Sequence, residues 1–243
     1  MSGFEDPAYF GELWAHDYDE KLDADPTEAV DFLAQLAAGG RVLELAIGTG
    51  RVAVPLAARG LSVEGVEGSA AMVERMRAKP GGRDIPVAIG DMAAVPVTGP
   101  FRLVYLVFNT LFNLLSQEQQ VTCFRNVAGV LEPDGVFVVE AYVPHPARLE
   151  RTPVQVLAAD EGSATIEVYR HDAANQRFNS QKITFDGQGV RLRPHAERYC
   201  WPSELDLMAQ LAGLRLKERH ADWSRRPFGS DSTTHVSVYG PRT

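Results

Sequence analysis

The chain has 243 residues, 45% of them hydrophobic and 23% charged, and its 24 Lys plus Arg against 32 Asp plus Glu leave a net charge of −8. That composition excludes collagen, coiled coil and wholesale disorder, and the acidic balance disfavours nucleic acid and anionic membranes as partners because both repel negative charge. The length suffices for one large domain with its own core.

The amino terminus, MSGFEDPAYFGELW, has no basic patch ahead of an apolar stretch, and the best apolar segment, Leu103 to Leu115, contains two Asn. Neither a signal peptide nor a membrane span is expected, and the reading is of a cytoplasmic protein. Cys123 and Cys200 are too few for a disulfide framework and have no Cys or His at metal spacing, so no metal is expected. Residues 1–40 read as cap helices, with Tyr9, Phe10, Trp14, His16 and Tyr18 crowded into ten positions. Asp25-Pro26 opens a helix that Gly39-Gly40 closes. Val42–Leu45, Leu61–Val66, Pro86–Ile89, Leu103–Phe108 and Val136–Val139 then alternate with helical patterns, which predicts a parallel sheet with helices on both faces. Ser69 caps one helix, Ser116 with Gln119 forms a capping box for another, and Pro133-Asp134-Gly135 turns into the fifth strand.

After Glu140 the rhythm changes. Ser163–His171, Arg177–Asp186 and Val190–Cys200 read as successive antiparallel strands, within an excursion spanning 144–200. Pro202 starts a helix ended by Gly213, and Leu214–Arg219 and His235–Tyr239 supply two closing strands. The expected whole is one α/β domain: a Rossmann-like, seven-stranded mixed sheet, its last strand antiparallel, with an antiparallel β lid inserted after the fifth strand.

The most informative stretch runs from Val42 through Gly48-Thr49-Gly50-Arg51 to Ala53. A strand enters a tight glycine turn and then a helix whose free amides attract an anion. Gly48-x-Gly50-x-x-Ala53 also fits the dinucleotide fingerprint, so a nicotinamide-dependent reductase is a rival. That rival needs a Tyr-x-x-x-Lys pair, which the chain lacks. Glu44, four residues before Gly48, would repel a pyrophosphate and welcome a cation, whereas Glu67, at the end of the second strand, can take both hydroxyls of a ribose.

With Glu44, Gly48, Gly50, Glu67 and Gly90-Asp91-Met92 in this order, the chain resembles the class I S-adenosylmethionine-dependent methyltransferases over roughly residues 40–143. The resemblance implies S-adenosyl-L-methionine as cofactor. Asp91 would accept from the adenine amino group, Met92 would pack on the ring, Glu44 would face the ammonium, and Ala46 stands where the family often has glycine. Tyr18 lies where related enzymes often place a tyrosine near the sulfonium, and Arg51, Gly68, Met72 and Phe108 complete the expected cofactor wall. Leu131–Glu140, the exit Ala141-Tyr142-Val143-Pro144 and the lid with Trp201-Pro202-Ser203 are similar to N-methyltransferases that modify amino-deoxysugars in antibiotic pathways. Those enzymes tend to carry a His where this chain has Asn113.

Methyl transfer from a sulfonium needs an aligned nucleophile and a dry site more than it needs a covalent intermediate. Tyr18, Tyr142, His145 and His195 are the candidates for proton handling, and Asn109, Asn113, Tyr142, Trp223 and Arg226 for holding the acceptor. The expected reaction is direct in-line transfer to nitrogen or oxygen, less readily carbon, of a small molecule of secondary metabolism, by a monomer or homodimer. A fold-sharing binding protein without turnover is the remaining alternative.

Overall fold

The computed structural model describes residues 3–21, 25–145 and 153–242. Its central sheet has seven strands in the order β10-β11-β5-β4-β1-β2-β3. The strands are β1 Val42–Leu45, β2 Val63–Glu67, β3 Val87–Ile89, β4 Phe101–Leu106, β5 Leu131–Tyr142, β10 Leu214–His220 and β11 Thr234–Pro241. The first five run parallel, and β11 is antiparallel to both its neighbours. All four residues of β1 are buried, as are five of the six in β4. Coverage by helices on both faces is why these strands read as continuous apolar runs instead of alternating ones.

The helices are α1 Tyr9–Trp14, α2 Tyr18–Lys21, α3 Thr27–Ala37, α4 Ala53–Ala58, α5 Ala70–Arg77, α6 Gln117–Val130 and α7 Pro202–Leu211. Their start signals act as the sequence implies. Ser69 Oγ accepts from the Met72 amide, and Ser116 and Gln119 close both halves of their capping box. At α3 the Asp25 carboxylate accepts from the Thr27 amide at 2.9 Å, so the side chain before the proline does the capping. Pro133-Asp134-Gly135 lies inside the span of β5, where the pairing with β4 slips register between Phe101 and Leu103. No helix among the described residues is long and apolar enough to cross a membrane.

The excursion after β5 is a second sheet of four strands, β6 Val154–Ala159, β7 Ala164–Asp172, β8 Arg177–Asp186 and β9 Gly189–Arg198, each antiparallel to the next. The sequence pattern shows only the last three. β6 is an edge strand with all six residues exposed, and a register shift between Val156 and Ala158 breaks its alternation. A buried polar knot anchors this lid to the body. Arg198, at the end of β9, donates to Gln120 of α6, to Gln176 and to Glu204 of α7, at 2.6, 3.1 and 2.7 Å.

Candidate functional site

The site lies at the carboxyl edge of the parallel strands, where open α/β sheets bind ligands. At the β1 exit the backbone turns left-handed three times, at Ala46 (φ 52°), Gly48 (φ 57°) and Gly50 (φ 75°). Ala46 therefore holds a conformation that glycine adopts without strain, which accounts for the family's glycine at this place. A side chain added at Gly48 would meet nothing nearer than the Ala46 carbonyl at 3.9 Å, so the loop backbone is open to a ligand here. Glu67 ends β2 beneath it, its two carboxylate oxygens accepting from the amides of Gly48 at 2.8 Å and Ser69 at 2.9 Å. Burial pushes the Glu67 carboxyl up, against the pull of those amides.

A cavity of about 140 Å³ opens over this loop, lined by Tyr18, Ala46, Gly48, Glu67, Gly68, Met72, Asp91, Met92, Asn113 and His195 among others. Asp91 keeps its carboxylate in place by accepting from the Ala93 amide at 2.8 Å. The amino-terminal segment roofs the cavity. Gly11 and Gly68 admit the close approach, since a Cβ at Gly11 would sit 2.2 Å from Ser69 Cβ and one at Gly68 2.3 Å from the Pro7 carbonyl. Glu12 accepts from Ser69 Oγ, and Asp19 from Thr49 Oγ and Lys79, which latches the roof to the loop and to α5.

Glu44, Gly50 and Arg51 do not line the cavity. Glu44 is buried under the loop, accepts from the Tyr105 hydroxyl at 2.8 Å, and is pushed by burial to a pKa of about 8. Gly50 packs on Met76, and Arg51 lies over the Phe108 ring at 5.4 Å.

A second cavity, about 340 Å³, adjoins the first and shares Phe10, Tyr18, Thr110, Asn113 and His195 with it. Its remaining wall is Trp14, Phe108, Asn109 and the lid residues Glu167, Ser180, Lys182, Arg193 and Glu197. Strand pairing explains that set. Glu167, Lys182 and Arg193 face one another across β7, β8 and β9, and Ser180 and His195 form the next cross-strand pair on the same side. His195 Nε2 is 3.6 Å from Glu197 Oε2, and its ring meets Phe10 edge-on. Glu197 Oε1 accepts from the Tyr142 hydroxyl at 2.6 Å. Tyr142 thus stands behind Glu197 and off the cavity wall, its phenol held in the protonated form by burial and by that carboxylate. Arg193 pairs with Asp17 at 2.6 Å, and both Arg193 and Lys182 lie over the Trp14 ring.

The exit of β4 is strained and braced. Phe108 and Asn109 both have positive φ, with the Phe108 amide on Glu140 Oε2 at 2.7 Å and Asn109 Oδ1 accepting from the Tyr142 amide at 2.6 Å. Trp223 belongs to this brace: its Nε1 donates to Glu140 Oε1 at 2.9 Å while its ring packs on Phe32. It lines neither cavity, and Arg226, exposed and paired with Asp222, does not either. His145 is exposed outside both cavities.

Tyr18, Asn113 and His195 are therefore brought to one junction from three distant parts of the chain. Burial raises the pKa of Tyr18, and its hydroxyl makes no hydrogen bond among the described residues. Sequence reasoning missed Glu167, Lys182, Arg193 and Glu197. Period-two spacing from His195 along β9 selects Arg193 and Glu197, but only the strand register adds the other two.

A family model described as methyltransferase domain matches residues 42–135. The structure of the CcbJ methyltransferase from Streptomyces caelestis superposes with a TM-score of 0.88 at 38% identity, covering 98% of this chain and 100% of that one. The cypemycin N-terminal methyltransferase of a Streptomyces species is 27% identical over 212 residues, 82% of each chain. The fold is shared as well with SAM-bound CalS10, an amino pentose methyltransferase from Micromonospora echinaspora, at a TM-score of 0.67 and 20% identity over 93% of this chain and 96% of that one.

Proposed function

Because the chain belongs to the S-adenosylmethionine-dependent methyltransferases, acting on small molecules of secondary metabolism, we propose that it methylates an amine nitrogen of an acceptor held in the second cavity. The observation that carries this reading is the junction of the two cavities at Phe10, Tyr18, Thr110, Asn113 and His195, with the Glu197 carboxylate behind it. The cofactor supplies an electrophilic methyl group on a sulfonium. Glu67 would hold the ribose hydroxyls, Asp91 and Met92 the adenine, and the open backbone at Gly48 the remainder.

The acceptor amine arrives protonated at neutral pH and must lose a proton before its lone pair can attack. His195 Nε2 faces Glu197, which leaves Nδ1 to take that proton, and the carboxylate stabilises the imidazolium that results. Tyr142 positions Glu197. Tyr18 and Phe10 close the junction against water, which strengthens every polar contact inside it. At the far end, Trp14 Nε1 and Arg193 Nη1 are buried donors without acceptors among the described residues, and Lys182 stands beside them. An oxygen-rich substituent of the acceptor suits that end. The names of the relatives support nitrogen as the target: one is an N-terminal methyltransferase and another an amino pentose methyltransferase.

The test is incubation of the full chain with S-adenosylmethionine and matched amine and hydroxyl acceptors, followed by mass spectrometry. One or two added methyl groups on the amine only is the expected result. Transfer to the hydroxyl partner with the amine untouched would overturn the assignment.

A further inference from the structure

Resting on the acceptor assignment above, we infer that Lys182 recognises a carboxylate on the acceptor, and that this carboxylate lies about 7 Å from the amine nitrogen. The inner face of the lid carries its polar groups in ordered cross-strand rows. Glu167, Lys182 and Arg193 form one row over β7, β8 and β9, Tyr169, Ser180 and His195 the next, and His171, Phe178 and Glu197 the third. His195, which takes the amine proton, stands in the middle row with Glu197 beyond it. The second cavity is therefore dipolar: its two cations lie at one end and the carboxylate that serves the amine at the other.

Lys182 is the cation of this wall whose charge is unanswered. Arg193 pairs with Asp17 at 2.6 Å. Lys182 makes no hydrogen bond or ion pair among the described residues, and its ammonium lies over the Trp14 ring, 5.2 Å from the centroid. Glu167 stands directly across the ladder and could neutralise it, yet the Glu167 carboxylate accepts from the Tyr169 hydroxyl, two residues along its own strand. Glu197 is two rows away and engaged by Tyr142. A half-buried cation without a counter-ion is costly, and a bound anion offsets that cost. Trp14 Nε1 and Arg193 Nη1, beside it, are buried donors without acceptors among the described residues. A hydroxyl supplies acceptors to such donors but leaves the ammonium uncompensated, whereas a carboxylate answers both needs. A phosphate would carry a second negative charge toward Asp17 and Glu167, so one negative charge is the better match to one unanswered positive charge.

The row spacing sets the shape of the acceptor. Successive rows on one sheet face are two residues apart, which is about 7 Å. An α-amino acid joins its nitrogen and its carboxyl group through a single carbon and does not reach from one row to the next. Two residues of extended chain span about 7 Å. The acceptor class is an amine that carries its carboxylate one residue further on, as an aminoacyl amino acid does.

Calorimetry on the full chain loaded with S-adenosylhomocysteine tests this, with alanylalanine, its carboxyl-terminal amide and alanine as probes. Alanylalanine should bind at least about tenfold more tightly than either of the others, as a charge-assisted contact predicts. Lys182→Gln should erase the gap between acid and amide, and Lys182→Arg should keep it. An unchanged S-adenosylhomocysteine dissociation constant shows that each variant is folded; where it changes, the acid and amide comparison in the unaltered chain decides. Equal binding of acid and amide, a gap that survives Lys182→Gln, binding of alanine as tight as that of alanylalanine, or no binding of any probe would each overturn the inference. Because these readouts record binding, they separate from the acceptor assignment: amines methylated with no gap between acid and amide sink this inference alone, and a gap without transfer to any amine sinks the assignment.

Discussion

Strands β1 and β4 bury nearly every residue, whereas β7, β8 and β9 are mostly half-buried and turn a charged face toward the body and an apolar face away from it. The two sheets meet at one junction and divide the labour there. The parallel sheet delivers backbone, in loops whose left-handed residues and buried carboxylate shape the first cavity. The lid delivers side chains, in cross-strand rows that change character with every substitution. A rigid floor with a variable wall is how one fold serves many acceptors.

The largest expected effect tests whether the wall depends on its anchor. Arg198→Met removes three hydrogen bonds, to the buried Gln120 and to the partly buried Gln176 and Glu204, which at roughly 1 to 1.5 kcal/mol each costs about 3 to 4 kcal/mol. Glu204 makes the loss visible by pH. Burial raises its pKa, but hydrogen bonds from Arg198, Gln176 and Gln117 outweigh this and hold it below the usual value. A carboxyl with a depressed folded pKa adds stability above its unfolded pKa and loses it as pH falls through the folded one. Thermal melts of the unaltered chain should therefore weaken on acidification through that range, and the variant should lose that contribution. An unchanged melting curve would show that the lid holds by its strands alone.

Next comes chemistry at the junction. His195→Ala should lower kcat by about 10²- to 10⁴-fold if the imidazole takes the amine proton, while S-adenosylhomocysteine binding stays close to that of the unaltered chain. Tyr142→Phe acts one step behind. It frees one oxygen of Glu197, so the pH profile of kcat/KM should move while the maximal rate changes less. A KM effect alone for His195→Ala would make that residue part of the acceptor's seat and not its base.

Glu67→Ala probes the floor. The loss of ribose contacts and of the carboxylate that fixes the Gly48 and Ser69 amides should weaken S-adenosylhomocysteine binding by about 1 to 3 kcal/mol by calorimetry. An unchanged dissociation constant would separate Glu67 from the cofactor.

The floor was legible in the sequence because its signals are local. Glycines at Gly48 and Gly50, the acidic end of β2 at Glu67 and the Asp91-Met92 pair each follow a strand at short distance, and buried parallel strands announce themselves by continuous apolar runs. The wall was only partly legible. His195 stood out as a histidine in a lid strand, but Lys182 and Glu167 reach the cavity through pairing register, a long-range property that no local window contains. Trp223 drew notice as an aromatic in a loop. Its place is set by Phe32 and Glu140, nearly two hundred and about eighty positions away.

Glu44 offers the smallest and finest test, because its charge state decides whether it senses the cofactor. Its folded pKa of about 8 lies above the unfolded value, so the folded chain binds the extra proton between roughly pH 4.5 and 8. The sign follows: stability from this group is greatest at the acid end and falls as pH rises through that window. Glu44→Gln keeps the hydrogen bond to Tyr105 within reach of its amide oxygen and removes the titration, so its apo melting temperature should be flatter across the window and higher at the alkaline end. If the cofactor's ammonium lies close enough to ionise Glu44, binding near pH 7 releases a proton. Calorimetry in buffers of different ionisation enthalpy reads that proton directly, and its disappearance in Glu44→Gln assigns it. Binding without proton release would leave Glu44 as a neutral acid that holds Tyr105 beneath the loop, and the floor's selectivity for a cation would then come from elsewhere on the cavity wall.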